Sequence, residues 1–90
     1  MLDLFKLNRD KSRGEQAERI LGDPLVVDAF AEIERATFEV FKQLKAEDKD
    51  ALQELARVRD VTNRFKAVFE KAVSTGKIAA KDLKQTRRFG

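Results

Sequence analysis

Apolar residues recur at alternating intervals of four and three in two long stretches of the chain. The first stretch contains Val26, Phe30, Ile33, Thr37, Val40 and Leu44, and the second contains Ala51, Leu55, Val58, Thr62, Phe65, Phe69 and Ala72. This spacing places each set on one face of a helix. A polar turn over residues 46–50 separates the stretches, and a turn this short makes the two helices antiparallel. The sequence therefore predicts an all-α fold organised around an antiparallel helical hairpin.

Residue types that favour helix ends divide the rest of the chain. Ser12 with Glu15 forms a capping box that starts a short N-terminal helix. Asp23, followed by Pro24, starts the first long helix. Gly76 is expected to end the second long helix in the left-handed conformation that glycine favours.

These signals predict three parts. We expect a flexible N-terminal peptide over residues 1–12 and a basic C-terminal tail over residues 77–90. Between them, residues 13–76 form the helical hairpin domain with its short preceding helix, which Gly22 is expected to end in the left-handed conformation.

The predicted hairpin carries more large apolar residues than one seam uses. Folding at the turn pairs Phe30 with Phe65 in a core layer, and the short helix cannot also cover Phe38 and Phe41. Two exposed Phe side chains would leave roughly 3–6 kcal/mol of burial unrealised. We therefore expect a homo-oligomer whose interface contains Val27, Phe38, Phe41, Val61 and Val68. A three-helix monomer with scattered surface apolar residues is the alternative.

Composition argues against an enzyme. The 90 residues include no Cys, His, Trp or Tyr, so thiolate chemistry and the commonest general base are absent. Asp28, Glu32 and Glu39 come nearest to a carboxylate cluster, but they lie opposite the predicted seam, where a solvated charged face explains them better. We predict a non-enzymatic protein that uses no cofactor or metal.

The net charge of +3 is concentrated near the C-terminus. The predicted tail carries five basic residues against Asp82 alone, and such a tail can grip phosphates without reading base sequence. The predicted DNA-binding residues are Lys77, Lys81, Lys84, Arg87 and Arg88. No apolar run approaches the about 20 residues of a membrane span, so we expect a cytoplasmic protein without a membrane partner.

The N-terminal peptide suggests a second function. Leu2-Asp3-Leu4-Phe5 resembles the core of the short motif by which bacterial proteins dock on the replication sliding clamp, although Met1 stands where that motif usually has Gln. On this hypothesis the chain is a helical adaptor, and Leu2, Leu4 and Phe5 dock on a sliding clamp or another protein. Packing of this peptide on the body or on a neighbouring subunit is the simpler interpretation.

Three segments of the chain carry a further resemblance. They are Arg13-Gly14-Glu15-Gln16-Ala17-Glu18-Arg19-Ile20-Leu21-Gly22-Asp23-Pro24-Leu25, Asp28-Ala29-Phe30 and Thr75-Gly76-Lys77-Ile78-Ala79. Over about residues 13–80 the chain resembles small helical proteins of tailed phages and prophages, some of which look like small terminase subunits.

This resemblance implies a subunit of a DNA-packaging machine in a bacterial host cell. Such subunits form rings through helical hairpins, engage DNA with basic elements and recruit a larger ATPase–nuclease, the terminase large subunit, through a terminal tail. Because a separate helix-turn-helix domain is missing, DNA binding by this chain is expected to be weak and independent of base sequence.

Overall fold

The computed structural model describes residues 3–89, with side chains described up to residue 86. It contains three helices: α1 (Leu4–Gly22), α2 (Pro24–Gln43) and α3 (Lys49–Phe89). No strand occurs within residues 3–89. The predicted all-α fold, with a long helix pair and a shorter N-terminal helix, is confirmed.

α1 and α2 follow one another along the length of α3. Gly14 of α1 lies against Gly76 of α3, and Phe30 of α2 lies near Phe65 of α3. Both α1 and α2 are therefore antiparallel to α3. The 41 residues of α3 span about 61 Å at 1.5 Å per residue, which matches the 64 Å length of the molecule. The fold is therefore a rod in which an unbroken helix faces a helix broken at residue 23.

The break between α1 and α2 forms as the sequence predicts. The Asp23 carboxylate accepts a hydrogen bond from the Leu25 amide at 2.8 Å, and Pro24 occupies the first helical turn. The Asp23 amide in turn donates to the Ile20 carbonyl at 3.2 Å. Gly22, however, ends α1 without the left-handed conformation predicted for it, since no described glycine has a positive φ.

The predicted outer ends of the helices are wrong. α1 begins at Leu4 rather than after Ser12, and the Asp3 carboxylate accepts from the Lys6 amide at 3.1 Å to cap it. α3 does not end at Gly76 but continues to Phe89. Residues 4–12 and 77–89 are thus helical rather than a flexible peptide and tail. The two extensions pack against each other, and tertiary packing of this kind supplies most helix stability in proteins.

The buried core lies entirely between α1 and α3. Its apolar members among the described residues are Ala17, Ala79 and Leu83, with Gly14 and Gly76 also buried. The predicted aromatic layer does form, because the Phe30 and Phe65 ring centroids lie 6.4 Å apart. It is not sealed, since Phe65 remains 59% exposed.

The molecule is extended, and it exposes more surface to water than a compact protein of its size. Its radius of gyration is 19.1 Å, against about 12 Å for a compact domain of this length. Its accessible surface is 7643 Å², against about 5,400 Å² for a compact protein of 10.3 kDa. The chain therefore leaves about 2,200 Å² more surface in water than a compact monomer would.

Candidate oligomerisation groove

An apolar groove of about 770 Å³ separates α2 from α3 near the turn. We call it the α2–α3 groove. Its apolar lining consists of Ile33, Thr37, Phe38 and Phe41 from α2 and Leu52, Leu55, Ala56 and Thr62 from α3. Polar side chains also line it, namely Glu34, Arg59, Asp60 and Asn63. The groove exists because the backbones of α2 and α3 stay apart here, whereas those of α1 and α3 lie close together.

The two threonines in the groove act as apolar residues. The Thr37 hydroxyl donates to the Ile33 carbonyl at 2.7 Å, and the Thr62 hydroxyl donates to the Val58 carbonyl at 2.8 Å. Each hydroxyl therefore donates its hydrogen bond within its own helix and does not need an acceptor in the groove. This local bonding leaves a lining that favours an apolar occupant.

Phe38 and Phe41 are the largest exposed side chains of the groove. They remain 57% and 55% exposed, although both line it. The Lys42 ammonium lies 5.3 Å from the Phe38 ring centroid, a distance suited to a cation–π contact. Phe38 thus has a polar partner on one side and an open apolar groove on the other.

The structure brings together only part of the predicted interface set. Phe38 and Phe41 line the groove, whereas Val27, Val61 and Val68 are exposed elsewhere on α2 and α3. The sequence predicts a closed seam for other residues that line the groove, namely Ile33, Thr37, Leu55 and Thr62. The small side chains at Thr37, Thr62 and Ala56 were the available signal, because they fill an interhelical space poorly.

The predicted DNA-binding lysines form a stripe on α3. Lys77, Lys81 and Lys84 are exposed and recur at four and three residues, on the side of the helix away from the buried Ala79 and Leu83. They span about 10 Å along the helix axis. None has an ion-pair partner within 4.0 Å among the described side chains. The side chains of Arg87 and Arg88 lie outside the described part of the chain.

The predicted docking peptide is helical where it is described. Leu4 and Phe5 occupy the first turn of α1, and Phe5 is 83% exposed. Successive helical residues point about 100° apart, so these two side chains leave the helix in different directions. Leu2 lies outside the described residues.

The carboxylates of α2 behave as a solvated surface. Glu32 accepts from the Arg35 Nε at 3.0 Å, and this hydrogen bond, followed by the Arg35 charge, holds the pKa of Glu32 below its usual value. Glu39 lies 3.0 Å from the Lys42 ammonium. Asp28 is also exposed. Within the described residues, no group of three or more acidic side chains could hold a metal ion.

Comparison with protein-family models, with curated proteins and with solved structures finds no match to this chain. The features of the chain that bear on its function are therefore the groove, the lysine stripe and the exposed surface of the rod. None of the described helices is long and apolar enough to cross a membrane.

Proposed function

We propose that this chain is a non-enzymatic subunit of a homo-oligomer, and that it serves as a small DNA-packaging component of the tailed-phage type. The exposure of Phe38 and Phe41 in the α2–α3 groove carries the proposal of an oligomer. Among the described residues the buried apolar side chains are Ala17, Ala79 and Leu83, and this core does not replace the burial that the two Phe rings forgo. A partner subunit supplies it instead.

The packaging role has two supports. The first is the resemblance over residues 13–80. Its Arg13-Gly14 and Gly76-Lys77 elements include the two glycines that meet where α1 crosses α3, so these glycines have a structural role in this chain. The second support is the lysine stripe beside Gly76, which has no ion-pair partner among the described side chains. Such a stripe suits phosphate contacts that carry no base sequence information. A larger packaging ATPase–nuclease is the proposed protein partner.

Truncation of the groove aromatics tests the proposed oligomer. The double variant Phe38→Ala with Phe41→Ala is expected to shift native mass spectra from an oligomer to the monomer while far-UV circular dichroism keeps its helical signal. Leu25→Ala is the matched control, because Leu25 is 77% exposed on the same helix but does not line the groove. A wild-type chain that stays monomeric at all concentrations contradicts the proposal.

Salt dependence tests the proposed DNA contact. Replacing Lys77, Lys81 and Lys84 with Gln should weaken binding to duplex DNA equally for unrelated base sequences. It should also reduce the slope of log K against log salt by about 2.7, since each phosphate contact contributes about 0.9. Replacing Lys42, Lys45 and Lys49 with Gln removes the same charge near the turn and serves as the control. Equal loss in both triple variants would leave the stripe without a special role.

The exposed Phe5 favours a second candidate function, that of an adaptor docking through its N-terminus. Phe5 is the most exposed of the described large apolar side chains. On this hypothesis the variant Leu4→Ala with Phe5→Ala loses binding to a sliding clamp in a purified binding assay, while oligomerisation is unchanged. Undiminished binding by this variant, or no binding by the wild type, removes the adaptor hypothesis.

A further inference from the structure

The ion pairs within α2 and α3 leave two charged side chains of the groove without a partner among the described residues. On α2 and α3, Glu32, Glu39, Glu54 and Asp60 each pair with a base three or four residues later on the same helix. Glu34 on α2 and Arg59 on α3 line the groove, and neither has an ion-pair partner within 4.0 Å among the described side chains. The groove thus carries one unpaired charge of each sign.

The register of the rod places these two charges at nearly the same height on opposite helices. Phe30 lies across from Phe65, and α2 and α3 are antiparallel. Position 34 is therefore level with about position 61, two residues or about 3 Å from Arg59 along the axis. A partner that fills the groove meets an acid on one helix and a base on the other.

We propose that the groove is filled by the same groove of a second copy, related by a two-fold axis parallel to the rod. This inference rests on the proposed homo-oligomer. Such an axis sets α2 of one copy against α3 of the other, so Glu34 faces Arg59 of the second copy on both sides of the axis, at one level of the rod. Phe38 and Phe41 of both copies then fill the space between the four helices.

Charge selects this axis over its alternative. A two-fold axis perpendicular to the rod at the level of Glu34 would set α2 against α2 and bring Glu34 near its own equivalent, with Arg59 near its own. Such like-charge contacts are unfavourable. The parallel axis instead sets each of the two charges against one of opposite sign.

The available surface is sufficient for this contact. A stable interface of standard size takes about 800 Å² from each partner. The chain exposes about 2,200 Å² more than a compact protein of its mass, as given by its 7643 Å² surface. One face-to-face contact therefore fits within the excess and leaves the lysine stripe free.

Charge reversal tests the proposed pairing. At low ionic strength, Glu34→Arg and Arg59→Glu alone should each raise the dissociation constant of the oligomer at least tenfold in sedimentation experiments. Mixing the two variants should restore assembly, because each reversed charge then faces its opposite. Glu32→Arg is the control on the outer face of α2 and should leave the dissociation constant unchanged. Circular dichroism of each variant should match the wild type.

The outcomes separate this pairing from the proposed oligomer. A monomeric wild type defeats both. An oligomeric wild type overturns the pairing alone if native masses show odd numbers of copies, if the single reversals assemble normally, or if the mixture does not recover. Even numbers of copies, weakened single variants and a recovered mixture support it.

Discussion

The rod has two halves, one in which α1 packs against α3 and one in which α2 faces α3. They differ in how closely the two helices approach each other. Where α1 crosses α3, Gly14 and Gly76 remove side chains from the contact and the backbones touch. A Cβ built at either glycine would lie 2.7 Å from the Cα of the other. Where α2 faces α3, Phe30 and Phe65 stand between the helices with ring centroids 6.4 Å apart, and Phe69 lies 5.2 Å from Phe65 within α3.

The difference shows that large side chains do not by themselves make a core. Interhelical distance depends on the side chains at the contact, so small residues bring two helices into continuous van der Waals contact. Two helices with large residues leave a space between their edges that a third or fourth helix must fill. The α1 half therefore buries its contact within one chain, whereas the α2 half leaves large apolar side chains exposed.

Truncating one apolar residue in each half gives the largest expected contrast. Leu83→Ala should lower the free energy of unfolding by about 2–5 kcal/mol, because Leu83 is buried and its removal leaves a cavity. Phe65→Ala should cost only about 1 kcal/mol, since most of its ring is already in water and full burial of a Phe is worth about 1.5–3. Urea unfolding at low protein concentration measures both.

A larger loss for Phe65→Ala than for Leu83→Ala would contradict the comparison. It would mean that the chain on its own draws its stability from the aromatic half. Repeating both measurements at high protein concentration tests for a contribution from the proposed partner subunit, because association raises apparent stability by mass action.

Adding one methyl group where α1 crosses α3 should give the second-largest loss of stability. Gly76→Ala places a Cβ 2.7 Å from the Gly14 Cα and 3.0 Å from the Asp10 carbonyl oxygen, so backbone must move. Overpacking of this kind costs about 1–3 kcal/mol. The better helix propensity of Ala returns about 1 kcal/mol at most, which leaves a net loss. Thermal unfolding followed by circular dichroism measures it.

Gly22 supplies the matched control for this substitution. It lies at the end of α1, has no atom within 4 Å of a built Cβ and does not have a positive φ. Gly22→Ala should therefore be neutral or slightly stabilising. If Gly76→Ala raised the unfolding temperature as much as Gly22→Ala, the close crossing would be wrong.

The central part of the fold follows from the sequence because its signals are local. The cap at Asp23, the Pro that follows it and the short turn each act within a few residues, and the register that pairs Phe30 with Phe65 follows from the turn. The exposure of Phe38 and Phe41 also follows from the sequence, because the two long helices have more apolar faces than the helices of one chain can cover.

The ends of α1 and α3 could not be predicted in the same way, because each depends on the other. Gly76 predicts a helix end, but glycine serves equally well at a close helix crossing. The signal for a crossing was a cluster of small residues near each glycine. Ala17 lies three residues after Gly14, and Ala79 and Ala80 lie three and four residues after Gly76. Such clusters indicate backbone contact, and the contact in turn keeps both terminal segments helical.

Removing the cap between the two halves should have a smaller effect than either packing change. Asp23→Ala loses the hydrogen bond from the Leu25 amide, at a cost of about 1 kcal/mol. Because the cap belongs to α2, amide hydrogen exchange should quicken in the first turn of α2 while the crossing at Gly14 stays protected. Asp28→Ala on the same helix should change neither. Equal loss of protection at the crossing would show that the halves unfold together.

The smallest effect is expected from the outer face of α2, where Glu32 is paired with Arg35 and does not face the groove. Its lowered pKa means that the pair contributes stability above the usual glutamate pKa and loses it as pH falls through the lowered folded value. Full exposure keeps that contribution small. NMR titration should show the low pKa of Glu32 in the wild type and an ordinary one in Arg35→Gln, with assembly unchanged. A change in assembly would place this outer face in the subunit contact and contradict the assignment of that contact to the groove.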